Sequence, residues 1–166
     1  MRRIGFNTYA FDLSEEAINK TKIWAEKLNL KIDYKVGDML KLPYENNSMD
    51  CILCRNVISH TDTAGMKIIA KEIKRVLKED GECYLTLGSK NTWGWKQDWP
   101  KVDENTKIRI ENGPENGIPH FYADYDLIKE IFNEFKIENI YEVQNFYENK
   151  GSSYHYHVLI RKYNMK

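Results

Sequence analysis

Two aspartates stand where apolar runs end. Asp12 closes YAFD just ahead of Ser14, Glu15 and Glu16, and Asp38 closes KIDYKVGD. A carboxylate at the carboxyl end of a parallel strand faces the crevice in which open α/β sheets bind ligands. There it accepts two hydrogen bonds from a vicinal diol such as that of a ribose. Asp38, with Met39 beside it, could frame an adenine, the carboxylate toward the exocyclic amine and the methionine against the ring. Each aspartate also has a plain reading, Asp12 as a turn residue before a helix and Gly37-Asp38 as an ordinary turn.

A second set of residues could move protons or hold a metal. SMDCILCRNVISH (48–60) runs from an acidic start through an apolar strand to Asn56 and His60, which would stand over the same crevice. His60 alone is more simply a structural histidine than a catalyst. His155 and His157 are two apart, so on a strand they share a face. With His120 or His60 they could form a metal site or a base, although an aromatic-rich strand packing its edges is the simpler reading. Cys51 and Cys54 are three apart, which on one strand points them to opposite faces. No second pair completes a four-ligand zinc site, so these two cysteines are expected to be buried apolar residues and no metal is expected. Trp93, Trp95 and Trp99, with Phe121 and Tyr122, could wall a planar or cationic ligand, or simply close over the core.

The elements that must position these residues follow from periodicity. Residues 6–12 read as a strand and 14–29 as a helix, with Ser14 as N-cap and Glu15 and Glu16 in the first turn. Ala17, Ile18, Thr21, Ala25 and Leu28 recur on one face of that helix. KIDYKVGD (31–38) is the next strand, and DCILC is apolar enough to be buried on both faces of a parallel sheet. Residues 62–78 form the clearest helix, with Met66, Ile69, Ala70, Ile73, Val76 and Leu77 in one stripe. Asp80-Gly81 is expected to end it, and 82–88 to be a strand. Residues 89–120 are polar and contain Gly and Pro, which predicts a long lid or substrate loop. A helix over 124–135 and two strands over 137–147 and 153–162 complete the chain, giving an α/β sheet with an antiparallel pair at its end.

Bulk properties narrow the field. The 166 residues suit one domain, residues 1–166. Lys plus Arg and Asp plus Glu are 25 each, so no net charge steers the chain to nucleic acid or an anionic membrane. No apolar run approaches the ~20 residues that span a bilayer. The first residues, MRRIGFNTYAFD, make a poor signal peptide. Three cysteines, an odd and sparse set, fit a reducing cytoplasm.

YAFDLSEEAI, VGDMLKLPYENNSMDCILCRNVISH and EIKRVLKEDGECYLTL, in this order and spacing, resemble a class I S-adenosylmethionine-dependent methyltransferase over residues 6–88. The later PHFYADYDLIKEIFNEFKIENIYEVQ and YHYHVLIRK resemble the last helix and two strands of the same family. The resemblance implies a Rossmann-like, mostly parallel sheet, S-adenosylmethionine as cofactor and methyl transfer to a small-molecule O, N or S acceptor. It assigns Asp12, with Leu13, to the cofactor ribose, and Asp38, with Met39, to the adenine. Arg55, Asn56 and Val57 fall at the methionine and sulfonium end. Trp93, Trp95, Trp99 and Tyr122 fall on the substrate side, and His60, His120, His155 or His157 would take the acceptor's proton.

One departure from the family is plain. Its first strand and glycine-rich loop have no counterpart, because none of the nine glycines forms G-x-G. That loop lets backbone approach a cofactor closely. The expectation is therefore a piece of a longer polypeptide, a sheet completed by another segment or by a homodimer partner, or a truncated, inactive interaction module. A nicotinamide-dependent Rossmann enzyme is a further alternative, since Asp12 would suit a ribose there too, but it accounts for neither GDMLKLPY nor VLKEDGECYL.

Overall fold

The computed structural model describes residues 5–147 and 151–163, which divide into two compact units, Met1–Tyr44 and Glu45–Lys166. Residues 1–4 of the stretch read for a signal peptide lie outside the described residues. Among the described residues no helix is long and apolar enough to cross a membrane.

The first unit is a β1–α1–β2 crossover, with β1 at Tyr9–Asp12, α1 at Glu15–Lys27 and β2 at Asp33–Val36. The strands pair in parallel, from Tyr9 opposite Asp33 to Asp12 opposite Val36. Both are shorter than the sequence suggests. β2 stops because the amide of Gly37 makes the last rung, donating to Asp12 O at 3.0 Å, and the chain then folds back through Lys41 N to Asp38 O. Ser14 caps α1 as expected, its hydroxyl accepting from Ala17 N at 3.2 Å. The apolar stripe is narrower than its periodicity implies, since only Ile18 and Ala25 of α1 are buried. They lie two turns apart in one line, whereas Leu28 is 48% exposed and Thr21 bonds back to Ala17 O.

The second unit holds the main core. Its elements are β3 (Met49–Cys54), α2 (Thr63–Val76), β4 (Leu77–Ser89), α3 (Trp93–Lys96), β5 (Lys101–Asp103), β6 (Thr106–Ile108), β7 (Pro119–Ala123), α4 (Tyr125–Ile131), β8 (Phe135–Tyr147) and β9 (Gly151–Lys162). The strands run β5-β6-β7-β4-β9-β8, with β3 also on β4. β9 pairs antiparallel with β4 and β8 antiparallel with β9, the terminal pair the sequence predicts. β3 pairs in parallel with β4 as far as Leu85, and β7 pairs in parallel with Gly88 and Ser89. With the β5–β6 and β6–β7 pairs also antiparallel, the sheet is mixed. Beneath it, α2 buries Met66, Ile69, Ala70, Ile73 and Val76, the stripe read from its spacing.

Three local expectations are corrected. The helix ends at Val76, not at Asp80-Gly81, because its last carbonyls are claimed from outside: Asn47 N donates to Arg75 O and Ser48 N to Val76 O, each at 2.9 Å. Leu77 already begins β4, so Asp80-Gly81 lies inside that strand. There Asp80 takes φ 60, and a side chain on Gly81 would meet Lys78 O at 2.8 Å. The pairing slips at this point from Met49 opposite Leu77 to Cys51 opposite Glu82.

Second, β3 is not buried on both faces. Leu53 is 58% exposed and Cys51 is exposed, because among the described residues β3 pairs only with β4. Third, residues 89–120 are not one loop. Asp103 accepts from Asn105 N at 2.8 Å and from Thr63 N at 2.9 Å, which fixes the tight turn between β5 and β6. β6 then docks on β7 and buries Thr106 and Lys107.

Candidate functional site

In the first unit the two aspartates sit at the same end of adjacent parallel strands, since Asp12 ends β1 opposite Val36 and Asp38 follows Val36 by two residues. Each carboxylate is steadied by the turn it opens. Asp12 Oδ1 accepts from Ser14 N, and Asp38 Oδ1 accepts from Leu40 N, both at 2.8 Å. One oxygen of each is thereby fixed in direction by backbone. Leu13 is 72% exposed beside Asp12, and Met39 is half-buried beside Asp38.

In the second unit the Arg55–Val57 turn follows β3. Asn56 takes φ 55, a left-handed conformation that asparagine tolerates better than most residues. A reciprocal pair holds it there. Asn56 N donates to Thr86 Oγ1 at 2.8 Å, and Thr86 Oγ1 donates to Asn56 Oδ1 at 3.0 Å. Thr86 is itself buried, so this turn is fixed to the sheet, and Ile58, fully buried, anchors its far side. Arg55 and Val57 remain exposed.

The same topology gathers a cluster that no spacing in the sequence shows. β3 leaves the edge of β4 and β7 takes it over, so the chain after β3 meets the start of β7. The contact is pinned by Phe121 N donating to Ser59 O at 2.8 Å. His60 and His120, the next residues on either side, stand with ring centroids 4.8 Å apart. The β6–β7 connection then folds back through Arg109 N to Ile118 O and Gly117 N to Arg109 O, with Gly117 at φ +79. That return brings Glu115 to the pair. Its Oε1 lies 3.8 Å from His60 Nε2 and its Oε2 lies 3.8 Å from His120 Nε2. Arg109 bridges Glu115 and Glu111. Burial, reinforced by His60, pushes the His120 imidazole down to about 4, and its Nε2 is buried without a hydrogen-bond partner among the described residues.

His155 and His157 do not join this cluster. They share a face of β9, as their spacing requires, but His157 Nδ1 is bound to the Tyr84 hydroxyl and its ring stacks on Tyr141. The aromatic residues pack chiefly on one another. Trp93 meets Trp99 edge-on at 5.4 Å, and Trp95 lies 5.6 Å from Tyr122, which in turn stacks on His120 at 6.4 Å. Lys90 and Lys107 both reach over Trp95, and Lys107 Nζ also donates to the carbonyls of Trp95 and Gln97 at 2.6 and 2.5 Å. Tyr122 is buried, which pushes its phenol up to about 12. Of the cysteines, Cys83 is buried and Cys54 half-buried, its thiol pushed up to about 11 by burial, but Cys51 is exposed, against expectation.

Sequence reasoning missed Glu115, Thr86 and Lys107. Glu115 sits in NGPENG, whose turn residues mark a loop without saying where it returns. Thr86 and Lys107 owe their roles to pairing register.

Comparison with known proteins decides the family. A family profile described as a methyltransferase domain matches residues 1–85, more than half of the chain. The chain belongs to this methyltransferase family. The fold agrees: a S-adenosylmethionine-dependent methyltransferase from Methanosarcina mazei superposes with TM-score 0.81 at 19% identity, covering 98% of this chain and 84% of that one. A 1,6-didemethyltoxoflavin-N1-methyltransferase from Burkholderia thailandensis, solved with 1,6-didemethyltoxoflavin and S-adenosylhomocysteine, superposes with TM-score 0.70 at 13% identity, covering 96% of this chain and 63% of that one. Among curated relatives, the ubiquinone biosynthesis O-methyltransferase of Pelagibacter ubique is 33% identical over 92 residues, 54% of this chain and 36% of that protein. The match thus spans about a third of that relative's length.

Proposed function

We propose that this chain binds S-adenosylmethionine through Asp12 and Asp38 and serves methyl transfer to a small-molecule acceptor. The observation that carries the reading is the placement of these two carboxylates at one end of two neighbouring parallel strands, each with one oxygen held by a backbone amide. Such groups are pure acceptors when ionised. They suit a ribose diol and an adenine amine, and the Oδ1 bonds fix the direction from which the second oxygen is approached. These acceptors therefore fit the adenosyl part of the cofactor.

When bound, the cofactor supplies a methyl group on a positively charged sulfur. What remains for the protein is alignment and exclusion of water. By the family resemblance, Arg55–Val57 serves the methionine end. The bonds between Asn56 and Thr86 supply the rigidity such a role requires. The curated relative acts, by its name, as an O-methyltransferase, and the Burkholderia relative as an N-methyltransferase. An oxygen or nitrogen acceptor of low molecular mass is the corresponding reading here.

Calorimetric titration of the chain with S-adenosylmethionine, S-adenosylhomocysteine and NAD tests this. Uptake of the first two and not the third is the expected result. Uptake of NAD alone would overturn the proposal in favour of a nicotinamide site, and silence toward all three would remove the cofactor role.

A further inference from the structure

We propose that His60, Glu115 and His120 form a binding site for a divalent transition-metal ion of the zinc, cobalt or iron(II) class. The argument rests on the second unit alone and does not depend on the methyl-transfer reading. One ligand atom from each of the three residues can be chosen so that all lie within 4.8 Å of one another; Glu115 approaches His60 Nε2 through Oε1 and His120 Nε2 through Oε2, each at 3.8 Å. Around a tetrahedral zinc ion, with metal–nitrogen bonds of about 2.0–2.1 Å, neighbouring donors stand roughly 3.4 Å apart. The 4.8 Å limit exceeds that spacing by about 1.4 Å, a gap that side-chain rotation around a bound ion can close. Two imidazoles and one carboxylate suit zinc and its neighbours better than magnesium or calcium, which prefer all-oxygen shells.

The surroundings favour a cation over an empty packing contact. The His120 side chain is only 12% exposed, yet its Nε2 has no hydrogen-bond partner among the described residues. A buried, unsatisfied ring nitrogen is costly, and a metal at this point would satisfy it. Around the cluster lie Glu111, Glu115 and a single guanidinium, Arg109, leaving one negative charge in excess. Arg109 binds Glu115 through Oε2, while Oε1 faces His60, so metal ligation through Oε1 preserves the ion pair that positions the carboxylate. The histidines are held by backbone: His60 N donates to Val57 O at 3.1 Å, and His120 lies in register with Lys107 on β6. Three protein donors leave coordination positions open, the arrangement of a metal that takes a further ligand rather than of a closed structural site.

Untagged protein titrated with cobalt(II) alone, followed by its visible ligand-field absorption, tests the site. The chain contains only four histidines, so three variants separate the possibilities. The expected result is one bound ion per chain. His60→Ala and Glu115→Gln should each weaken binding by about tenfold or more, since even changes outside the ligand shell cost about 10–100-fold. The double variant His155→Ala/His157→Ala should bind as the parent does. His60 is partly exposed, so its replacement should leave the circular dichroism spectrum unchanged. No cobalt uptake by the parent, uptake unaffected by His60→Ala and Glu115→Gln, or loss of uptake only in the His155/His157 variant would overturn the proposal.

Discussion

The amide of Gly37 donates to the carbonyl of Asp12 at 3.0 Å, and this rung sets where the Asp12 and Asp38 carboxylates emerge. It is the last bond of the β1–β2 pair, so Asp38 begins the chain's departure from the sheet one residue later. Ser14 N and Leu40 N then each hold one carboxylate oxygen. A parallel crossover delivers two strand ends on the same side by construction. An acidic residue at each end then puts two carboxylates at one end of the pair.

The Asn56–Thr86 pair makes a stability claim. Replacing Thr86 with Val keeps the shape of a buried side chain but removes the partner of the Asn56 amide and side chain, which are themselves exposed to water. Thr86→Val should lower unfolding free energy by about 0.5–1.5 kcal/mol, the net worth of an ordinary hydrogen bond, and Thr86→Ser should recover most of it. Urea unfolding of the three proteins measures the difference. Equal midpoints for parent and Thr86→Val would show that the turn stands without this bond.

Asp124 carries an acid-dependent contribution. It caps α4, accepting from Leu127 N at 2.9 Å, and receives Lys90 Nζ at 2.8 Å. The lysine hydrogen bond foremost, then the cap, holds its carboxyl below the ordinary value of 3.8. A group depressed in the folded state stabilises at pH above its unfolded value and loses that contribution as pH falls through its folded value. The loss should therefore begin below about pH 4. Asp124→Asn keeps a capping side chain and should flatten this acid limb. Asp124→Ala also removes the cap, at a cost of about 1 kcal/mol at neutral pH. Thermal melts from pH 3 to pH 7 would check both, and an unchanged acid limb in Asp124→Asn would contradict the assignment.

Much of the architecture is legible in the sequence because it is set locally. Ser14 caps its helix as its type and place predict, accepting from an amide three residues on, and Asp62 and Asp124 do the same in the structure. The α2 stripe from Met66 to Val76 is buried as its spacing implies. The failures arise where distant chain decides. Asn47 and Ser48 take the end of α2, so the Asp80-Gly81 punctuation falls inside a strand. Residues 89–120 read as loop because β5 and β6 have three residues each and gain their order from pairing with β7. The grouping of His60 with Glu115 and His120 depends on β7 succeeding β3 along one edge of β4, a fact of register that spacing does not encode. His155 and His157, by contrast, share a face because strand periodicity alone demands it.

The most direct test is S-adenosylhomocysteine binding by the parent chain, Asp12→Asn and Asp38→Asn, measured by calorimetry. Asparagine retains an Oδ1 acceptor for Ser14 N or Leu40 N and exchanges the remaining carboxylate oxygen for an amide, so the turns survive while the ligand bonds change. The parent should bind, and each variant should lose about tenfold or more in affinity, the effect of roughly 1.5–3 kcal/mol for a hydrogen bond to a charged group. A parent that binds nothing, or two variants that bind as tightly as the parent, would contradict the assignment of Asp12 and Asp38 to the cofactor.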